Sequence, residues 1–260
     1  MKSLCLAVSV AHAALLLPLA ALADREPGFQ SIGLGVAASD SLYAGADKSV
    51  SVLPLLHYEG ERFFVRGVTA GMRLIEREGF GLEAIVAGRF EGIDRSDFGR
   101  AELARNGIDR DLLDDRDDGV DLGLRANWKS LGGEVRLSAR ADVSGASEGY
   151  ELTLGYGYPM QLAGMKVTPS LAVSYLSDKL ADYYYGTLSD EEARGVSRYR
   201  PGGAVVPGVA LGLAKPLGER WLLSAEASYR RLPDRITDSP LVDSDSSHVG
   251  FRLGVSWLSD

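Results

Sequence analysis

The stretch GVDLGLRANWKSLGGEVRLSARADVS, residues 119–144, places apolar and polar side chains in strict alternation on both sides of a turn. Val120, Leu122, Leu124, Ala126 and Trp128 share one face of the first run, and Val135, Leu137, Ala139, Ala141 and Val143 share one face of the second. A period of two is the signature of a strand, and Ser130-Leu131-Gly132-Gly133 is turn-forming, so the stretch predicts a β-hairpin. Its other face carries charges of both signs: Asp121, Arg125 and Lys129, then Glu134, Arg136, Arg140 and Asp142. Pairing through that turn sets Lys129 opposite Glu134 and Asp121 diagonal to Arg140, within reach of long side chains. A half-buried soluble strand would show such a face to water. A transmembrane barrel would turn it into the lumen and give the apolar face to lipid.

The alternation recurs along the chain. Apolar side chains keep period two in Ile32-Leu34-Val36, Phe80-Leu82-Ala84-Val86, Tyr150-Leu152-Leu154-Tyr156-Tyr158, Leu171-Val173-Tyr175, Val209-Leu211-Leu213, Trp221-Leu223-Ala225-Ala227-Tyr229 and Val249-Phe251-Leu253-Val255-Trp257. The runs fall near 30–38, 50–59, 61–75, 79–91, 118–129, 133–143, 149–159, 165–176, 203–214, 220–230 and 248–258. Bacterial single-chain barrels have an even number of strands. Arg66-Gly67 can break the run 61–75 into two strands, which predicts an all-β antiparallel transmembrane barrel of twelve. The connections then sort themselves: 92–117, 177–202 and 231–247 fall on the extracellular side, and 130–133, 160–164 and 215–219 form short periplasmic turns. Aromatic residues close the apolar faces (Phe80, Phe90, Trp128, Tyr150, Tyr158, Tyr175, Trp221, Tyr229 and Trp257), as interfacial girdles require. A soluble β-sandwich or lipocalin-like barrel is the alternative, since its strands alternate too. The charged second face, the girdles and the abundance of Ala and Gly weigh against it.

The N-terminus predicts the compartment. Lys2 is the sole charge before Asp24, an apolar segment runs from Leu4 to Leu22, and Ala21-Leu22-Ala23 fits a signal-peptide cleavage site, giving a signal over 1–23 and the barrel over 24–260. Cys5 leaves with that signal, so the mature chain carries no cysteine, which excludes disulfides, thiolate metal sites and a cysteine nucleophile. The formal charge of −8 becomes −9 on loss of Lys2, the wrong sign for nucleic acid. After the signal no segment approaches the 18 or so apolar residues of a membrane-spanning helix.

Candidate chemistry is sparse. The acidic segment Asp109-Arg110-Asp111-Leu112-Leu113-Asp114-Asp115-Arg116-Asp117-Asp118-Gly119 invites a calcium reading, but aligning Gly119 with the EF-hand glycine puts Arg116 at a ligand position and Arg125 where the bidentate Glu belongs. A solvated charged loop is the expectation. Asp243-Ser244-Asp245-Ser246-Ser247-His248 holds the residue types of a hydrolytic triad, yet neighbours on an extended segment seldom face one another and no nucleophile elbow is present. His57 is the other histidine of the mature chain. Gly33-Leu34-Gly35 and Gly155-Tyr156-Gly157 lie inside strands and read as lumen-facing glycines, not phosphate loops. No catalytic, cofactor-binding or metal-ligating residue is assigned.

Several short motifs resemble the MltA-interacting protein family (MipA/OmpV) of Gram-negative outer membranes. They are Ile32-Gly33-Leu34-Gly35-Val36; Ser39-Asp40-Ser41-Leu42-Tyr43-Ala44-Gly45-Ala46-Asp47; Val52-Leu53-Pro54-Leu55-Leu56 before a Phe-Phe pair; Asp117-Asp118-Gly119-Val120-Asp121-Leu122-Gly123; Val167-Thr168-Pro169-Ser170-Leu171; and Asp238-Ser239-Pro240-Leu241-Val242. The similarity spans nearly the whole mature chain. It implies an outer-membrane barrel with no established enzymatic activity, and a scaffold role between a lytic transglycosylase and a murein synthase; other members are described as porin-like or adhesive. Two departures stand out. The tyrosine segment lacks the family's proline and serine, and the chain ends Trp257-Leu258-Ser259-Asp260, not on an aromatic residue.

The expectation is therefore a structural or interaction protein of the cell outer membrane, with lipid as its surroundings and murein enzymes as its implied partners. A passive pore or adhesin is the alternative, and a surface lipid or peptide hydrolase a third. Against a selective pore, the lumen set Glu83, Arg89, Asp121, Arg125, Lys129, Glu134, Arg136, Arg140, Asp142, Glu151, Glu226, Arg230 and Arg252 mixes signs where a selective channel shows a ring of one sign.

Overall fold

The computed structural model describes residues 28–245 and 247–259, so the expected signal peptide lies outside the described residues. The chain forms strands β1 (Gly28–Ser39), β2 (Ser49–Glu59), β3 (Phe63–Arg66), β4 (Thr69–Arg77), β5 (Phe80–Arg89), β6 (Gly119–Ser130), β7 (Gly133–Asp142), β8 (Tyr150–Gly157), β9 (Met160–Leu162), β10 (Met165–Leu176), β11 (Ala204–Leu217), β12 (Trp221–Arg231) and β13 (Ser247–Leu258). Each pairs antiparallel with its neighbour, β1 with β13 closes the ring, and β10 with β11 carries it past β9. Twelve strands thus form a closed barrel, while β9 pairs only with β10 and stands outside the ring. Closure removes the free edges that an open sheet would expose to hydrocarbon.

The wall follows the sequence pattern closely. The break at Arg66-Gly67 is real: β3 and β4 are joined by Gly67-Val68, with Gly67 at φ 61°. In the hairpin of residues 119–144, Lys129 faces Glu134 and Asp121 lies diagonal to Arg140, opposite Asp142. Leu131 and Gly132, at φ 51° and 75°, make the two-residue turn whose handedness matches the twist of paired strands. Long connections gather at one end of the barrel, the loop end, and short turns at the other. The segment 160–164, expected as a plain turn, instead begins with β9, which extends the β10 hairpin beyond the wall.

Polarity is inverted relative to a soluble domain. Leu34 is 68% exposed and Leu122 51%, while Asp121 is 0% and Arg89 1% exposed. Apolar side chains cover the outside and charges fill the inside, which is the arrangement lipid demands. Aromatic residues pair across strands at both margins of the apolar band: Phe80 with Trp128 and Trp221 with Trp257 at the turn end, and Tyr150 with Tyr175, ring centroids 6.2 Å apart, at the loop end. Trp257 is the last aromatic of that band, with Ile32 on its other flank, and the backbone continues far enough for Ser259 N to donate to Gln30 O.

Among the described residues, α-helices appear in the long loops: α1 (Arg100–Arg105), α2 (Asp178–Tyr185), α3 (Ser189–Ala193) and α4 (Asp234–Thr237). Ser177 caps α2 by accepting from Leu180 N, and the spacing of Leu180, Ala181, Tyr184 and Tyr185 turns one face of that helix inward. These loops build two apolar cores over the barrel mouth, one around Tyr184, Leu232 and Ile236 and one around Phe98, Leu103, Ile108 and Leu241. The acidic segment read as a solvated loop is partly folded into this cap, because Leu113 and Arg116 within it are buried.

Candidate functional site

The lumen and its mouth hold the groups that decide what the barrel can do. Four consecutive strands aim charges at one level. Arg89 on β5 binds Asp121 on β6 through Nη2 at 2.6 Å and Nε at 3.3 Å, and reaches Glu151 on β8 at 3.2 Å. Arg140 on β7 binds Glu151 at 2.7 Å and approaches Asp121 at 3.6 Å. The two cations and two anions are mutually satisfied and sheltered from water, so breaking one partner would strand a buried charge. Thr153 Oγ1 steadies Glu151 by donating to it at 3.0 Å.

A second cluster sits toward the turn end. Arg66 on β3 binds Glu59 at 2.6 Å and Glu83 at 2.9 Å, and Arg73 on β4 shares Glu59. Phe64, which faces the lumen, lies under Arg66 with the guanidinium 4.0 Å from the ring centroid. Arg125 reaches Glu83 at 3.8 Å and, across the barrel, Arg252 reaches Glu226 at 3.6 Å. Of the other residues expected in the lumen, Lys129 is exposed at the turn end and Glu134 pairs with Arg136 at 2.7 Å. Asp142 turns to the loop and accepts from the backbone of Ser144, Ser147 and Glu148.

The cap is pinned by one buried pair. Arg116 and Glu191, both 0% exposed in their side chains, form two hydrogen bonds at 2.7 and 3.0 Å. The remaining N–H groups of Arg116 go to carbonyls of Tyr183, Asp114 and Gly186, and Glu191 also accepts from Asp114 N and Leu188 N. Every lone pair and donor has a partner, the condition under which a buried ion pair is tolerated. Tyr43 donates to Glu91 O and Tyr184 to Asp117 O, tying the cap to the rim. Burial first, then neighbouring Tyr185 for Tyr43 and Glu91 for Tyr184, pushes both phenols well above their usual range, so they remain donors.

The sequence candidates are dispersed by the fold. Within Asp243–His248, Ser247 Oγ donates to Asp245 at 2.7 Å, while His248 is buried in the lumen with no hydrogen-bond partner for Nδ1 among the described residues. No triad is assembled among the described residues, and Ser246 of this segment lies outside them. In the acidic segment, Asp109 caps the turn 110–112, Asp111 pairs with Arg100, Asp114 with Arg194, and Asp118 accepts from Gly92 N. These carboxylates have separate partners and do not converge as a calcium loop would. His57 is buried 3.5 Å from Glu59. Gly33 is needed for space, since a Cβ there would lie 2.1 Å from the backbone oxygen of Val255. Sequence reading missed the cap and the Arg116–Glu191 pair; the one available signal was apolar Phe98, Leu103, Ile108 and Leu113 recurring through a charged segment.

The profile of the family MltA-interacting protein MipA matches residues 32–258, from the first strand to the last. The chain belongs to that family. Its relatives include the putative outer membrane protein YiaT of Escherichia coli K12, 35% identical over 231 residues, 87% of this chain and 89% of that one. The MltA-interacting protein of the same strain is 29% identical over 225 residues, 86% and 88% of the two chains. The outer membrane protein OmpV of Vibrio cholerae is 26% identical over 211 residues, 81% and 79%. Among solved structures, an outer membrane channel from Pseudomonas putida F1 aligns with TM-score 0.44 at 14% identity, covering 90% of this chain and 96% of that one. By its family and its own closed ring of strands, this chain is an outer-membrane β-barrel.

Proposed function

We propose that this barrel is a closed, non-conducting anchor in the outer membrane that holds murein-remodelling enzymes at its periplasmic turn end. The observation that carries the closed reading is the buried Arg89–Asp121–Arg140–Glu151 cluster beneath a cap with its own apolar cores. A water-filled conduit would leave such side chains hydrated, whereas here all four are 9% exposed or less. The partner class comes from the relative named MltA-interacting protein. A surface suited to it lies at the turn end, where Leu131 is 89% exposed at a hairpin tip beside exposed Met160 and Leu162 of β9. Exposed apolar clusters of this kind mark interaction sites.

Planar-bilayer recording and co-purification test the two halves. The expected outcome is little or no steady conductance, with stable large openings refuting closure. Murein enzymes should co-purify with the wild type and be depleted by Leu131→Asp, a change the left-handed turn position accepts because Asp adopts positive φ more readily than Leu. Equal recovery from both proteins, or none above background, would remove the scaffold half.

A further inference from the structure

The lumen charges balance at one level of the barrel and fail to balance at the next. In the upper level Arg89 and Arg140 are matched by Asp121 and Glu151. Below it, toward the turn end, the match breaks down at Arg125. This side chain stands on β6, opposite Glu83 on β5 and Ser138 on β7. Its one ionic partner among the described residues is Glu83 at 3.8 Å, too far for a hydrogen bond. Glu83 is already engaged, accepting from Arg66 Nη1 at 2.9 and 3.2 Å. The Arg125 guanidinium therefore makes no hydrogen bond among the described residues, although its side chain is only 13% exposed. Nε is sealed, whereas Nη1 and Nη2 face open lumen. A guanidinium carries five donors and keeps its proton, so an unbonded one held away from bulk water points to an acceptor that reaches it.

The surroundings narrow what that acceptor is. Asn127 and Lys129 follow Arg125 on the same face of β6, descending toward the turn. Asn127 Oδ1 accepts from Arg136 Nε at 2.8 Å, which leaves the Asn127 amide N–H groups as unused donors among the described residues. Arg136 also binds Glu134 at 2.7 Å, and Glu134 is the carboxylate opposite Lys129, whose ammonium has no ion pair among the described residues. On the other flank Arg66 and Arg73 share Glu59, and Arg73 approaches the exposed Glu76 at 3.7 Å. Lys166 adds a further base on the face of β10 that carries buried Thr168. Glu59, Glu83 and Glu134 are thus each held by an arginine and are outnumbered by the bases around them. The turns at the rim alternate sign, Glu61-Arg62, Arg77-Glu78 and Glu219-Arg220, and add no net charge. Water would solvate the free donors without offsetting the excess charge, and low-dielectric walls focus that charge on an anion that enters. Lys129 is exposed and the Arg136 side chain 27% exposed, so the approach from the turn end is open.

We propose that Arg125 binds an oxyanion, the carboxylate or phosphate group of a small solute, which enters from the turn end past Lys129 and is also held by Arg136 and Asn127. The planar guanidinium fork suits two oxygens of either group. The site stands on the barrel alone and is independent of any murein enzyme bound to it.

Titration calorimetry of the protein purified in uncharged detergent, at low salt, tests binding, with citrate as the carboxylate probe and pyrophosphate as the phosphate probe. The probe that binds names the group, and binding of both marks a site for either. Arg125→Gln should weaken binding roughly tenfold or more, as loss of a charge-assisted fork predicts, and Arg125→Lys should recover part of it. Arg100→Gln, which removes an exposed arginine of the cap, should bind as the wild type does. Heat-modifiable gel migration verifies that each variant is folded. Phenylglyoxal labelling of the wild type supplies a readout without substitution: mass spectrometry should find Arg125 modified, and the anion should slow that reaction without slowing the one at Arg100. The proposal is overturned if neither anion binds, if Arg125→Gln binds as the wild type does, if Arg100→Gln weakens binding equally, or if labelling of Arg125 is absent or indifferent to the anion.

Discussion

The wall and the cap of this barrel solve opposite packing problems with the same residue types. In the wall, Leu122 faces outward at 51% exposure and Asp121 faces inward at 0%. In the cap, Leu103 is 0% exposed while Asp111 on the same loop is exposed and pairs with Arg100 at 2.8 Å. Lipid tails fit themselves around any apolar outline, so the wall needs no interlocking shapes, only the right side chain on the right face. The cap has water outside it and must close-pack its interior as a soluble domain does. Stability in the first region therefore comes from transfer of surface and paired backbone, and in the second from shape and buried polar satisfaction.

The contrast can be broken most severely at Arg116. Arg116→Ala leaves Glu191 charged and buried, and should cost the cap about 3–5 kcal/mol. Rapid proteolysis within 90–118 and 177–203, with an intact heat-modifiable barrel beneath, is the expected readout; simultaneous loss of the barrel would show that wall and cap are one cooperative unit. A matched pair of substitutions sharpens the comparison. Leu103→Ala should cost about 2–5 kcal/mol because a cavity remains, whereas Leu122→Ala should cost only the transfer of its missing methylenes, about 2 kcal/mol at most. Denaturant unfolding of the barrel in vesicles, with cap proteolysis alongside, checks this, and equal costs would mean that the lipid-facing wall is packed as tightly as the cap.

The smallest effect is a pH slope. Burial first, then repulsion from Asp94, Asp115 and Asp47, holds the Asp97 carboxyl above its usual range in the folded cap, so its ionised form is less favourable there than in the unfolded chain. Its contribution to stability should therefore rise as pH falls through that raised value and be lost as pH climbs back toward neutral. Protease resistance of the cap, measured from neutral pH down to the carboxylate range, should show this gain in the wild type and less of it in Asp97→Asn. Identical slopes would place Asp97 in ordinary solvent.

Much of the wall was legible in the sequence because period two is a property of the extended backbone itself. Once Leu122 faces outward, Asp121 and Gly123 must face inward, whatever lies nearby. The same local rule, with the turn at 130–133, led to the diagonal of Asp121 and Arg140 and put Phe80, Trp128, Trp221 and Trp257 at the ends of apolar faces, while the even strand count of such barrels pointed to the split at Arg66-Gly67. The loops carry no such rule. Arg116 is 75 residues from Glu191, and the residues that bury Leu103 arrive from three different connections, so the charged segment looked solvated when taken alone.

By itself, then, the sequence determined which side of each strand meets hydrocarbon, because that choice is made residue by residue through backbone geometry. Only the tertiary structure decided what closes the mouth and which lumen arginine is left without a hydrogen-bonded carboxylate. Those outcomes depend on contacts between distant segments, whose free energy exists only once the barrel has brought them together.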